Sequence, residues 1–140
     1  MPRRDWETFT HEADIGVRGR GANPAEAFAA AALALTSVVT DPAGVGCVQR
    51  VSIEREAPDL DLLFLDFMNA LIYEMATRKL VFGECAVRIA GERLMASACG
   101  EPVARERHDP AVEVKGATFT ELKVTQQTDG LWCAQCVVDV

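Results

Sequence analysis

Carboxylates are the groups in this chain best placed to do chemistry. "HEAD" sets His11, Glu12 and Asp14 in a short turn after a strand. At the other end, "CVVDV" sets Asp139 beside the carboxylate of Val140. Three carboxylates that met would repel one another unless a cation sat between them. All-oxygen ligation suits calcium or magnesium. Spacing alone does not bring the two segments together. Asp14 capping a turn, with Asp139 facing water, accounts for the same residues.

Other chemistries find little support. No P-loop, GxGxxG, HExxH or GxSxG is present. The two histidines, His11 and His108, form no arguable Ser/His/Asp arrangement, so an ordinary hydrolase is not signalled. "CAQC" (Cys133 to Cys136) has the spacing of a redox or zinc pair. Its setting, "LWCAQCVVDV", reads as a strand, on which positions i and i+3 face opposite ways. Structural cysteines are expected there.

These groups must be held by a fold, and the bulk numbers bound it. At 140 residues the chain is one domain, residues 1–140, with room for a real core. Hydrophobic residues make up 49%, which argues against disorder. The longest apolar run, Ala27–Leu35, has nine residues, where a membrane span needs about 20. "MPRRDWETF" lacks an apolar stretch after its arginines, so no secretory signal is expected. A net charge of −7 disfavours direct, unspecific nucleic-acid binding. Five cysteines without a secreted-type framework point to a reducing cytoplasm.

The elements follow from periodicity. Two β segments, near Trp6–Phe9 and Ile15–Arg20, bracket "HEAD". "NPAEAFAAAALALTSVV" reads as a helix, with Asn23 as cap, Pro24 in the first position and Glu26 at capping-box spacing. "CVQRVSIERE" alternates as a strand. A second helix runs from about Leu60 to Arg78, with an apolar arc wide enough to predict the most buried element. It keeps one polar stripe of Asp66, Asn69, Tyr73 and Thr77, either a solvated face or one that meets a partner or ligand. "ECAVRIAGERLMASAC" reads as a hairpin with a type II′ turn at Gly91-Glu92. Residues 100–118 form a long charged connection. "FTELKVTQQTDGLWCAQCVVDV" closes the chain as a hairpin turned by "TDG". The expected fold is an α+β two-layer domain, two helices on a mixed, largely antiparallel sheet of about six or seven strands.

Six segments, in order from Trp6 to Val140, carry a resemblance: "WETFTHEADIG", "NPAEAFAAAALAL", "DLLFLDFMNALIY", "GEPVARERH", "EVKGATF" and the terminal "VVDV". Together they resemble the archease family. The resemblance implies a small two-layer α/β fold and a role as accessory protein to the GTP-dependent RNA ligase. That ligase joins 3′-phosphate or 2′,3′-cyclic phosphate ends to 5′-hydroxyl ends in tRNA splicing and RNA repair. The family promotes guanylylation of the ligase's active-site histidine and multiple turnover, without being the catalyst. It also implies a divalent cation, commonly calcium, held by Asp14, Asp139 and the carboxylate of Val140. His11, Glu101, His108 and Lys115 match further family motif positions, and Asp66 lies on the stripe that a partner could meet. Gly116 departs from the usual Ala, Phe119-Thr120 from the usual Tyr-His, and "HEAD" from the commoner "HTAD". Two other functions fit the residues: a metal-dependent phosphohydrolase with His11 as acid or base, and a general chaperone or interaction module that needs neither aspartate.

Overall fold

In the computed structural model, which describes residues 5–140, eight strands, three α-helices and one 3-10 turn (Pro42–Gly44) follow one another along the chain. Arg3 and Arg4, which entered the reading of the N-terminus, lie outside the described residues. Strands β1 (Trp6–His11) and β2 (Asp14–Gly21) form a hairpin closed by Glu12-Ala13. Helix α1 (Pro24–Val39) follows, then β3 (Gln49–Glu56) and helix α2 (Leu60–Arg78). Strands β4 (Leu80–Ala90) and β5 (Arg93–Pro102) form the second hairpin. A short helix α3 (Arg105–His108) precedes β6 (Gly116–Ala117), β7 (Lys123–Gln126) and β8 (Trp132–Asp139).

The architecture is the expected α+β arrangement of helices on antiparallel strands, but the strands divide between two sheets. One has the order β1-β2-β8-β6, with β7 also on β8; the other is β3-β5-β4. Every pairing between described strands is antiparallel. One continuous core draws on both sheets and both long helices.

Helix α1 forms where local signals place it. The Asn23 side chain accepts from the Glu26 N–H at 2.9 Å, and Pro24 sits in the first turn. Glu26 reaches back to the Ala22 N–H at 2.8 Å, one residue before the position of an ordinary capping box. The expectation that α2 is the most buried element does not hold. Ten of the sixteen residues of α1 are buried, against eight of nineteen in α2. The reason is size. The alanine-rich face of α1 lies so close to β2 that a Cβ on Gly19 would stand 2.2 Å from the Ala31 nitrogen and 2.3 Å from the Ala27 oxygen. In α2, the second half turns Tyr73, Ala76 and Thr77 outward. The two helices meet through Phe28, whose ring lies 5.0 Å from Phe64 and 6.0 Å from Phe67, centre to centre.

Local turn chemistry is as read from the sequence at Gly91. Ala90 pairs with Arg93, leaving a two-residue loop in which Gly91 has φ +60°, the first position of a type II′ turn. Two boundaries differ. Strand β5 continues through Glu101 and Pro102, which shortens the connection read at 100–118. The last hairpin begins at Lys123 and not at Phe119; Glu121 adopts φ 55° and breaks the arm before it.

Cysteine chemistry also differs. Cys47 and Cys99 are joined as a disulfide with their Cα atoms 5.1 Å apart. Spacing does not reveal the pair, because 52 residues separate the two. Cys85, Cys133 and Cys136 remain free. Cys133 and Cys136 sit opposite Arg20 and Val17 on β2, three positions apart and on opposite faces, as strand geometry requires. Burial pushes the Cys136 thiol up to about 12 and raises that of Cys133, so neither is a ready nucleophile. Alkylation of the denatured protein should modify three thiols without reductant and all five after reduction. Five in both cases would show that the bridge is not formed in solution.

Candidate functional site

One end of the first sheet gathers most of the residues singled out above. Register explains how. His11 pairs with Asp14 across the β1–β2 turn. Ile15 pairs with Val138 across β2 and β8, so one further step sets Asp14 opposite Asp139. Asp139 in turn pairs with Gly116 of β6. His11, Asp14, Asp139 and Gly116 therefore form one row across four strands. Cross-strand neighbours project to the same face, and like charges directly opposite destabilise a sheet. The chain accepts that repulsion in a strand whose preceding six residues, Cys133 to Val138, are all buried. Asp139 itself is exposed and Asp14 half-buried.

The main chain closes the tip. The Val140 N–H points at Asp14 Oδ1 at 3.4 Å, across 126 residues of sequence. The Lys115 N–H donates to the Asp139 carbonyl at 2.8 Å, which brings Lys115 to the same end. Behind it, Asn69 of α2 grips β6 twice. Its Oδ1 accepts from the Ala117 N–H at 2.9 Å, and its Nδ2 donates to the Ala117 carbonyl at 3.3 Å. So the polar stripe of α2 is neither wholly solvated nor free: Asn69 meets the sheet, while Asp66, one turn earlier, and Tyr73 and Thr77 stay exposed. Thr118 and Thr120 bond β8 at Val137, Thr120 through its carbonyl, and leave Phe119 71% exposed.

Glu101 and His108 form a separate constellation on the second sheet. Glu101 Oε1 lies 3.0 Å from His108 Nε2 and accepts from the Gly46 N–H at 3.0 Å; Oε2 lies 3.3 Å from Arg107. The Ala104 N–H donates to His108 Nδ1 at 2.8 Å, so the ring proton sits on Nε2 and is given to Glu101. Both side chains are buried and every polar atom of the pair is spent on the fold. Their work is to hold α3 and the 46–47 loop against β5. No hydrogen bond or ion pair among the described residues joins them to the tip. The Gly46 N–H and the His108 ring hold the Glu101 carboxyl below its ordinary value of 4.5, against the opposing effect of burial. A depressed carboxylate stabilises the fold above its unfolded pKa, and that stability drains away as pH falls through the lower, folded value. Native protein should therefore lose more stability than a Glu101→Gln variant as pH drops below about 4.5, measured by urea unfolding across that range. Parallel pH profiles would count against this account.

The donor set at the tip is oxygen only, which fits a hard divalent cation in kind. No group of three or more His, Cys, Asp or Glu side chains able to hold a metal occurs among the described residues. The tip has two such carboxylates, Asp14 and Asp139, and a third would have to be the main-chain carboxylate of Val140.

A family model described as the archease protein family (MTH1598/TM1083) matches residues 6–140. The chain belongs to the archease family. Protein archease of Thermococcus gammatolerans is 41% identical over 98% of this chain and 99% of its own length. Protein archease of Thermococcus kodakarensis is 40% identical over the same shares. The more distant Sulfolobus acidocaldarius archease is 34% identical over 96% of this chain and 98% of its own length. The solution structure of Methanobacterium thermoautotrophicum protein 1598 superposes with a TM-score of 0.80 at 27% identity, covering 99% of this chain and all of that one. The archease fold is thus shared along the whole described length. No helix here is long and apolar enough to cross a membrane among the described residues.

Proposed function

We propose that this archease-family chain is an accessory protein of the GTP-dependent RNA ligase, promoting ligase guanylylation and repeated turnover from the sheet tip at Asp14. The observation that carries the reading is the convergence of two distant acidic segments, read from the Asp14 to Val140 contact at 3.4 Å. Asp14, Asp139 and the Val140 carboxylate would hold a divalent cation, calcium foremost and magnesium second. Bound there, the cation would neutralise the facing carboxylates and offer positive charge toward a phosphate. This chain's own residues do the positioning. The β1–β2 turn and the β8 strand fix the two aspartates, and Asn69 fixes β6 beside them. His11 and Lys115 flank the row and, with exposed Asp66, Tyr73 and Phe119, offer a surface to the ligase. An acidic tip complements a cleft built to hold GTP and RNA phosphates, and such complementarity speeds encounter. The catalyst is the ligase. We place the protein in the cytoplasm, together with the ligase it would serve. The Cys47–Cys99 bridge pulls against a reducing compartment, and the thiol count described above reads it directly.

The test is guanylylation of a cognate ligase with native protein, Asp14→Asn and Asp139→Asn. Both variants should fold as the native protein does and lose the stimulation. Full stimulation by folded variants would defeat the proposal. Protection of an unrelated aggregating client by the double variant would favour the chaperone reading instead, and turnover of a phosphate ester by the chain alone would favour the phosphohydrolase.

A further inference from the structure

The outer face of the first sheet carries a second polar feature, distant along β2 from the tip. Val17 and Gly19 of β2 face α1 and the core, so Arg18 and Arg20 face the other way. Their β8 partners are Gln135 and Cys133, and Gln135 pairs onward with Lys123 of β7. Arg18, Arg20, Lys123, Thr125, Gln127 and Gln135 line a depression of about 180 Å³. Within it lie three cations and one nearby carboxylate, Glu7, on a chain whose net charge is −7. Local potential, not net charge, decides what binds at such a spot.

The arginines are pre-ordered and incompletely used. Arg18 Nη1 and Arg20 Nη2 share Glu7 Oε1 at 2.9 and 2.7 Å, and the pair holds the Glu7 carboxyl below its ordinary value. Arg18 Nε donates to Gln135 Oε1 at 2.9 Å, and Gln135 is itself pinned by donating to the Glu121 carbonyl at 3.1 Å. The Arg18 guanidinium also lies 4.4 Å over the Phe9 ring. Both arginine side chains are about three-quarters buried, at 24% and 23% exposure. What these bonds leave over is Arg18 Nη2, Arg20 Nε and Nη1, the Lys123 ammonium and the Thr125 hydroxyl, none of which has a side-chain partner among the described residues. A carboxylate is planar and needs one fork. Donors that converge from three or four side chains on two strands around a hollow suit a tetrahedral oxyanion.

We propose that this depression binds a phosphate group, as a monoester or diester, through Arg18, Arg20, Lys123 and Thr125. The site is independent of the cation tip, and either can fail without the other. The experiment is an amide NMR titration of the native chain with inorganic phosphate, a nucleoside monophosphate and a short single-stranded RNA, each against sodium chloride at matched ionic strength. Saturable shifts at Arg20, Lys123, Thr125 and Cys133 are expected. Lys123→Gln and Thr125→Val, both at exposed positions, should each weaken binding by about tenfold, the loss of one charge-assisted or hydroxyl contact. Asp14→Asn should bind phosphate as the native chain does. Tighter binding of the RNA than of the mononucleotide assigns the site to a nucleic-acid strand; equal binding assigns it to small phosphates. A response no greater than that to chloride, or one unchanged in both variants, overturns the proposal.

Discussion

Calcium at a hundredfold over its dissociation constant should raise the unfolding midpoint of the native chain by about 5–10 °C and leave an Asp14→Asn/Asp139→Asn variant unmoved. The size follows from mass action. A ligand that binds only the folded state at that excess stabilises it by about 2.7 kcal/mol, and a domain near this length shifts by about 2–4 °C per kcal/mol. The sign without calcium is the more discriminating part. Asp14 and Asp139 stand opposite each other in register, so the metal-free native chain carries a like-charge pair costing about 0.2–1 kcal/mol. Asparagine removes that repulsion and keeps Oδ1 as acceptor for the Val140 N–H. The variant should thus be as stable as the native chain, or slightly more so, without metal, and less stable with it. A short glycine-serine tail after Val140 is the third arm. It removes the carboxylate and keeps both aspartates, and calcium affinity should fall by at least about tenfold. Scanning calorimetry with and without calcium reads all three. An equal calcium response in every variant would remove the tip as a cation site.

Phe28→Ala should lower the unfolding free energy by about 4 kcal/mol, within the usual range for deleting a buried aromatic ring. Phe28 is fully buried and touches Phe64 and Phe67, both fully buried, so the void would open where α1 meets α2. Collapse cannot fill it, because the alanine face of α1 is already held at backbone contact with Gly19. For a domain whose stability is typically about 5–15 kcal/mol, such a loss is a large share, and the midpoint should fall by about 10 °C or more. Urea denaturation measures it. A loss below about 1 kcal/mol would mean that the helices repack around the vacancy.

Elements whose signals are local were legible in the sequence. Asn23 and Pro24 start α1 by contacts within one turn, and Gly91 closes its hairpin by its own backbone freedom. Pairings that depend on distant strands were not. Nothing in "CVQRVSIERE" says that β3 will pair with β5 and leave the first sheet, since alternation is the same in either place. The Cys47–Cys99 bridge shares this cause, since it joins residues 52 apart through the layout of the second sheet. At the tip, residue types suggested a cation, but only the β2–β8 register sets Asp14 across from Asp139. The family resemblance placed Glu101 and His108 among functional candidates. In the structure both are buried and bonded to each other, away from the tip. Asn69 lay in a stripe open to two readings, and its twofold grip on Ala117 was not visible without β6.

That grip has a consequence for solubility. Strand β6 is the last in its sheet, and a bare edge is a template on which another chain can add a strand. The outward N–H and carbonyl of Ala117 are both taken by one amide side chain from α2. A helix thereby supplies what a neighbouring strand would, in a form that cannot be extended. A strand adding at β6 would first have to displace Asn69 from Ala117.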